Sequence, residues 1–270
     1  MKKITSANNP TLRKAIKLHE SRGRRQQERI IVFGANEIRM ARQASLSFCE
    51  VFVCEELIAD AGDENGVAKL VEELESAKVL VLDLPRELFH KVSFGNRNDG
   101  IVATAERPDT SLDNIKPLTD SLFVVLESIE KPGNIGAVFR SADAAGATAV
   151  LMADARCDSY HPNAIRSSLG TVFSMPCIVD SSSNIRDFLT RHNFQILAAK
   201  VDATNDYFST DLTGATAIVL GSEHDGLGPV WQGDSIRDVR IPMNGHADSL
   251  NVSVSAGIIL FEAMRQRIAK

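Results

Sequence analysis

Apolar residues run along this chain in two rhythms, and the change falls near residue 120. In the first hundred residues, short apolar runs alternate with helical spacing. Asn8 to Glu20 sets Leu12, Ile16 and the neighbouring Ala15 on one side of a helix. Ile30 to Gly34 reads as a short strand leading into a helix from Ala35 to Ala44, and Val51 to Cys54 is the next strand. A Glu- and Leu-rich helix from Val67 to Ala77 follows, then a strand from Val79 to Leu82. A short helix opened by Pro85 and a strand from Gly100 to Ala105 complete the series. These elements predict a small α/β domain over residues 1–106. Residues 107–120 hold two prolines and few apolar side chains and read as a linker, leaving 121–270 as a second domain.

From Leu122 the strand candidates are apolar throughout: LFVVL at 122–126, AVLM at 149–152, FQILAA at 194–199 and AIVLG at 217–221. Runs without alternation, separated by helical segments, predict a parallel sheet covered on both faces. Such sheets bind ligands at the loops leaving the carboxyl ends of their strands. Three loops in this position are rich in chemistry. The first follows LFVVL, turns at Pro132-Gly133 and enters a helix expected to begin near Asn134, a good cap, with Arg140 about two turns on. The second, Gly221-Ser222-Glu223-His224-Asp225-Gly226-Leu227-Gly228, has glycines that allow close backbone approach. Its carboxylates, and the lack of Gly-Lys-Ser/Thr, fit a neutral or cationic ligand better than a phosphate. The third follows a strand ending at Ile241 and runs through Ser249, Leu250 and Asn251 into a helical stretch, GIILFEAMRQRIA. Small residues at Ser253, Ser255, Ala256 and Gly257 would let another backbone pack closely there.

Composition changes little: 44% hydrophobic and 24% charged residues describe an ordinary globular chain. No stretch approaches the roughly 20 apolar residues of a membrane span, and Met1 to Thr5 lacks the apolar run of a signal peptide. Cysteines at 49, 54, 157 and 177 show no Cys-x-x-Cys and no histidines at ligand spacing. They read as reduced thiols in a cytoplasmic protein with no metal site. Charge changes more. The net charge is −5, yet residues 1–29 carry nine basic side chains against Glu20 and Glu28. That cluster, with Arg22 and Arg24 as candidate contacts, suits an arm that binds RNA phosphates; it also suits a solvated helix face.

Taken together, the loops are specific. N-x-G-x-x-x-R-x-A-x-x-x-G at 134–146, L-G-S-E-x-x-G-L at 220–227 and I-P-M-x-G-x-x-x-S-L-N-V-S-V at 241–254 strongly resemble the SpoU/TrmH group of SPOUT RNA methyltransferases. The first 105 residues look like the small RNA-binding domain of its ribosomal-RNA members, thiostrepton-resistance-type enzymes included, through their pattern and NNP-x-L-R-K at 8–14. The resemblance implies a C-terminal parallel-sheet SPOUT domain with a deep trefoil knot, a homodimer, and S-adenosylmethionine as cofactor. It implies transfer of a methyl group to a ribose 2′-hydroxyl of RNA, most simply ribosomal RNA, with transfer RNA or base methylation as alternatives. By motif, Gly221, Glu223, Ile241 and Leu250 fall on cofactor contacts. Asn134, Arg140, Glu223, Ser249 and Asn251 line the transfer pocket, and Arg166 in HPNAIRSSLG resembles a further RNA contact or is a plain surface arginine.

A 2′-hydroxyl is a poor nucleophile until its proton leaves. The resemblance implies Arg140 as general base, but an ordinary guanidinium gives up its proton only far above neutral pH, which suits a clamp on phosphate and developing negative charge equally well. Neither scheme needs a metal. Glu223 and Asp225 either complement a sulfonium or hold the loop's shape. A Rossmann dehydrogenase is disfavoured by the absence of G-x-G-x-x-G after an early strand. A non-catalytic RNA-binding protein is disfavoured by the intact Asn134, Arg140 and Ser249–Asn251.

Overall fold

The computed structural model describes residues 1–63, 66–95, 99–222 and 224–269. The chain divides into two compact units, residues 1–108 with 160–174, and residues 109–159 with 175–270. In the first unit the elements run β1 (Lys2–Lys3), α1 (Pro10–Lys17), α2 (Ser21–Gln27), β2 (Arg29–Phe33), α3 (Ala35–Gln43) and β3 (Phe48–Val53). They continue through α4 (Glu55–Asp60), α5 (Val67–Ser76), β4 (Leu80–Asp83), α6 (Arg86–Val92) and β5 (Ile101–Glu106). The sheet order is β1-β4-β3-β5-β2, parallel from β1 to β3 and antiparallel where β5 lies between β3 and β2.

Local chemistry explains the start and stop of α1. Asn9 caps it by accepting from Thr11 N–H at 2.9 Å and Leu12 N–H at 3.2 Å, and Pro10 fills the first helical position. The helix stops short of the expected Glu20. The carbonyls of Leu18 and His19 instead accept from Nη1 of Arg24, each at 2.9 Å. Leu12 and Ala15 are buried in a core that includes Ile31, Phe33, Phe52 and Phe89.

The second unit carries β6 (Leu122–Glu127), α7 (Pro132–Ala144) and β7 (Ala149–Ala153). After α8 (Pro162–Ser167) come β8 (Cys177–Asp180), α9 (Ser182–Arg191), β9 (Gln195–Ala199), β10 (Thr216–Leu220), β11 (Ile236–Val239) and α10 (Val252–Ile268). Its sheet, ordered β11-β9-β10-β6-β7-β8, is parallel at every pairing, as the unbroken apolar runs require. β8 is not evident in the sequence because it is four residues long and only Cys177 and Ile178 of it are buried. From β6 the chain builds outward through β7 and β8, then crosses to the other side for β9 and β10. The strand order therefore reverses between β6 and β10, and their carboxyl ends form the crevice where such sheets bind ligands.

Helix α8 departs from the expected two-domain division. Residues 160–174 belong by number to the second domain, but they pack with the first unit, α8 against β2. Leu169 O accepts from Asn36 Nδ2 at 3.2 Å, and Pro162, Ala164, Ile165, Val172 and Phe173 are buried. Among the described residues, no helix is long and apolar enough to cross a membrane.

Candidate active site

The three motif loops meet at the switch point. β6 ends at Glu127, and Pro132 opens α7 two residues before the expected start, because its fixed φ suits the first helical position. Asn134 is therefore not the cap; Lys131 holds that position. Asn134 sits in the first turn, where its Oδ1 accepts from Asn251 Nδ2 at 3.3 Å. Asn251 in turn caps α10, accepting at Oδ1 from Ser253 N–H at 3.0 Å and from Ser253 Oγ at 2.6 Å. One pair of asparagines thus ties the first motif to the third. Arg140 stands exposed on α7, with no ionic partner among the described residues.

The second loop leaves β10 and closes on itself. Ser222 and Gly226 exchange backbone hydrogen bonds of 3.1 and 3.2 Å, and Ser222 Oγ accepts from Asp225 N–H at 3.0 Å. A Cβ on Gly221 would stand 2.2 Å from Gly226 O, so that glycine is demanded by the loop's own closure rather than by a ligand. Glu223 lies outside the described residues. Asp225 and Glu130 share Nη1 of Arg156, at 3.5 and 2.7 Å, which makes Asp225 part of the loop framework. A cleft opens where Ile129, Glu130, Lys131 and Asn134 of the first loop face Ser222, His224 and Asp225 of the second and Val252 of α10.

The third loop is open. Residues 241–250 form no regular structure, and among the described residues their backbone groups have no hydrogen-bond partner. Ile241 is half-buried, Ser249 is exposed, and Met243 and Leu250 show apolar side chains to solvent. Backbone donors and acceptors without partners among the described residues, flanked by the apolar side chains of Met243 and Leu250, fit S-adenosylmethionine. Its adenine needs apolar faces and polar edges.

Of the substrate candidates, Arg22 is exposed on α2. Arg24 is corrected: it is fully buried, and its guanidinium is engaged with the end of α1, so it presents no charge to RNA. Helical spacing separates the two, since neighbours in sequence point about 100° apart around an α-helix. Arg13, Lys14, Lys17 and Arg25 are exposed beside Arg22 in sequence. Arg166 is exposed on α8 and so belongs to the first unit. Sequence reasoning assigns no role to Glu127, though a carboxylate ending the apolar run LFVVLE is the available signal.

Comparison with known proteins matches the chain in two parts. Residues 121–261 match the SpoU rRNA Methylase family, and residues 9–103 match the MRM3-like substrate binding domain. The 23S rRNA (uridine(2479)-2′-O)-methyltransferase of Streptomyces viridochromogenes is 35% identical over 187 residues, which span 66% of this chain and 65% of that protein. A crystal structure of an RNA 2′-O ribose methyltransferase is 38% identical, with a TM-score of 0.81 over 98% of this chain and 99% of that one. The SpoU methyltransferase AviRb of Streptomyces viridochromogenes, crystallised in complex with AdoMet, is 28% identical, with a TM-score of 0.83 over 97% and 99% of the two chains.

Proposed function

Because the chain belongs to the SpoU rRNA Methylase family, we propose that its crevice between β6 and β10 transfers a methyl group from S-adenosylmethionine to a ribose 2′-hydroxyl of ribosomal RNA. The observation that carries this reading is the Asn251–Asn134 hydrogen bond, which joins the first and third motifs beside the second. S-adenosylmethionine supplies an electrophilic methyl group on a positive sulfonium. The protein's part is placement, since in-line displacement depends chiefly on holding the hydroxyl against the methyl carbon. Gly221, Ile241 and Leu250 hold the cofactor through the backbone of the second and third loops, with Glu223 assigned to the same task by motif. Asn134, Ser249 and Asn251 surround the reacting hydroxyl. Arg140 is exposed on α7, where its planar fork of donors is open to a ligand. We read it as the clamp on the adjacent phosphate and on negative charge developing at oxygen.

The first unit is the substrate arm. Arg22 and Arg166, with the exposed cations of α1, bind RNA phosphates there, in keeping with the substrate-binding domain that residues 9–103 match. The path from edge strand β11 back to α10, which packs on α7 and β10, supports the deep trefoil knot. The homodimer forms through the outer face of α10, where Val254, Phe261 and Ile268 are exposed along one stripe. The reaction takes place in the cytoplasm, where the four free cysteines remain reduced. Mapping 2′-O-methyl groups in ribosomal RNA from cells with and without the gene tests the reading: one ribose loses its methyl group in the deletion and regains it on complementation. An unchanged map would overturn it.

A further inference from the structure

Glu127 is a buried charge for which the proposed reaction provides no task. It ends β6 at the switch point and is 6% exposed. A carboxylate so placed has lost most of its water and is tolerated only where hydrogen bonds replace it. Gly228 N–H donates to Oε2 at 2.7 Å, and Ser182 Oγ donates to Oε1 at 2.8 Å. Ser182 is the first residue of α9, and Gly228 closes the glycine-rich loop that follows β10. The one carboxylate therefore joins the end of β6, the head of α9 and the far end of the second loop. The near end is held by β10 and by the Ser222–Gly226 pairing.

Gly228 explains itself only through Glu127. Its φ of −67° and ψ of 167° suit any residue, but a Cβ on it would stand 3.1 Å from Glu127 Oε1. The missing side chain makes room for the carboxylate, not for an unusual backbone.

We propose that Glu127 is a positioning residue for the cofactor site, its carboxylate anchoring Gly228 and thereby setting the loop backbone that S-adenosylmethionine meets. The proposal rests on reading residues 221–228 as cofactor-binding. In the wild-type protein, amide hydrogen exchange across that loop slows on adding S-adenosylmethionine. Glu127→Ala weakens cofactor binding, measured by calorimetry, by about tenfold or more, the loss typical of a charge-assisted hydrogen bond. Glu127→Gln restores most of the affinity, because its amide accepts from Gly228 N–H and donates to Ser182 Oγ. Gly228→Ala weakens binding by itself but costs nothing further in the Glu127→Ala background, where the added methyl finds space. Where Glu127→Ala fails to fold, Glu127→Asp takes its place: one methylene shorter, it loosens the anchor and makes room for the methyl that Gly228→Ala adds. Wild-type affinity in Glu127→Ala or Glu127→Asp, or additive losses in the double variant, would overturn the proposal while the loop's exchange protection still stood. Absence of that protection in the wild type would sink the reading of the loop, and this inference with it.

Discussion

At the scale of single residues, two arginines show how position decides what a charge does. Arg140 is exposed on α7 at the motif site, and Arg24 is buried under the end of α1. On the proposed clamp role, Arg140→Ala should abolish methyl transfer in single-turnover assays while cofactor affinity stays nearly unchanged. Arg140→Lys separates clamp from base. Lysine cannot reproduce the bidentate fork, so under the clamp reading it behaves like alanine and RNA affinity falls in parallel. A base would survive in lysine with its pH profile shifted downward, since the ordinary lysine pKa is about 10.4. Arg24→Ala acts on stability instead: it removes the donors to Leu18 O and His19 O. Losing a charged donor costs about 1.5–3 kcal/mol, so the first unit should melt earlier in denaturant titration. Arg22→Ala, two residues away and exposed, leaves that midpoint in place.

At the scale of elements, α10 is the piece with two jobs. Val252, Ala256, Ile259, Leu260 and Ala263 are buried on one stripe, against the side that packs on α7 and β10. Its end is pinned by Arg267, whose guanidinium donates to the carbonyls of Leu212, Gly214 and Asp120. The opposite stripe carries the exposed apolar side chains of Val254, Phe261 (45%) and Ile268 (76%), which among the described residues are left to solvent. On the proposed dimer, the wild type should scatter light as a dimer at micromolar protein and Phe261→Glu as a folded monomer. A monomeric wild type at that concentration would remove α10 as the interface.

At the scale of the whole molecule, the chain passes between the two units three times, at 108–109, 159–160 and 174–175. Deleting residues 1–108 would strip cover from Val172, Phe173 and Ile165, so truncation confounds RNA binding with exposed core. Charge reversal in the full chain avoids this. Lys14→Glu, Lys17→Glu and Arg22→Glu together should weaken RNA binding and flatten its salt dependence, while cofactor affinity holds. Every phosphate that a cation neutralises steepens the slope of log affinity against log salt by about 0.7–0.9, so removing these cations makes it shallower by that amount for each phosphate left bare. An unchanged slope would show that this face is not the substrate arm.

Much of this molecule is legible along the chain because its evidence is local. Unbroken apolar runs at 122–126, 149–152 and 217–221 specify buried parallel strands through short-range periodicity, and the three motifs name the family through fixed spacing. What required tertiary structure were the facts that depend on distant neighbours. That Arg24 is buried depends on α1 turning back over it, and that Arg166 travels with the first unit depends on α8 packing against β2. That a side chain at Gly228 would crowd a carboxylate depends on Glu127, 101 residues away in sequence. Periodicity reports which face of an element avoids water. It carries no record of which remote side chain completes a hydrogen bond, because that partner is chosen by the packing of the whole chain.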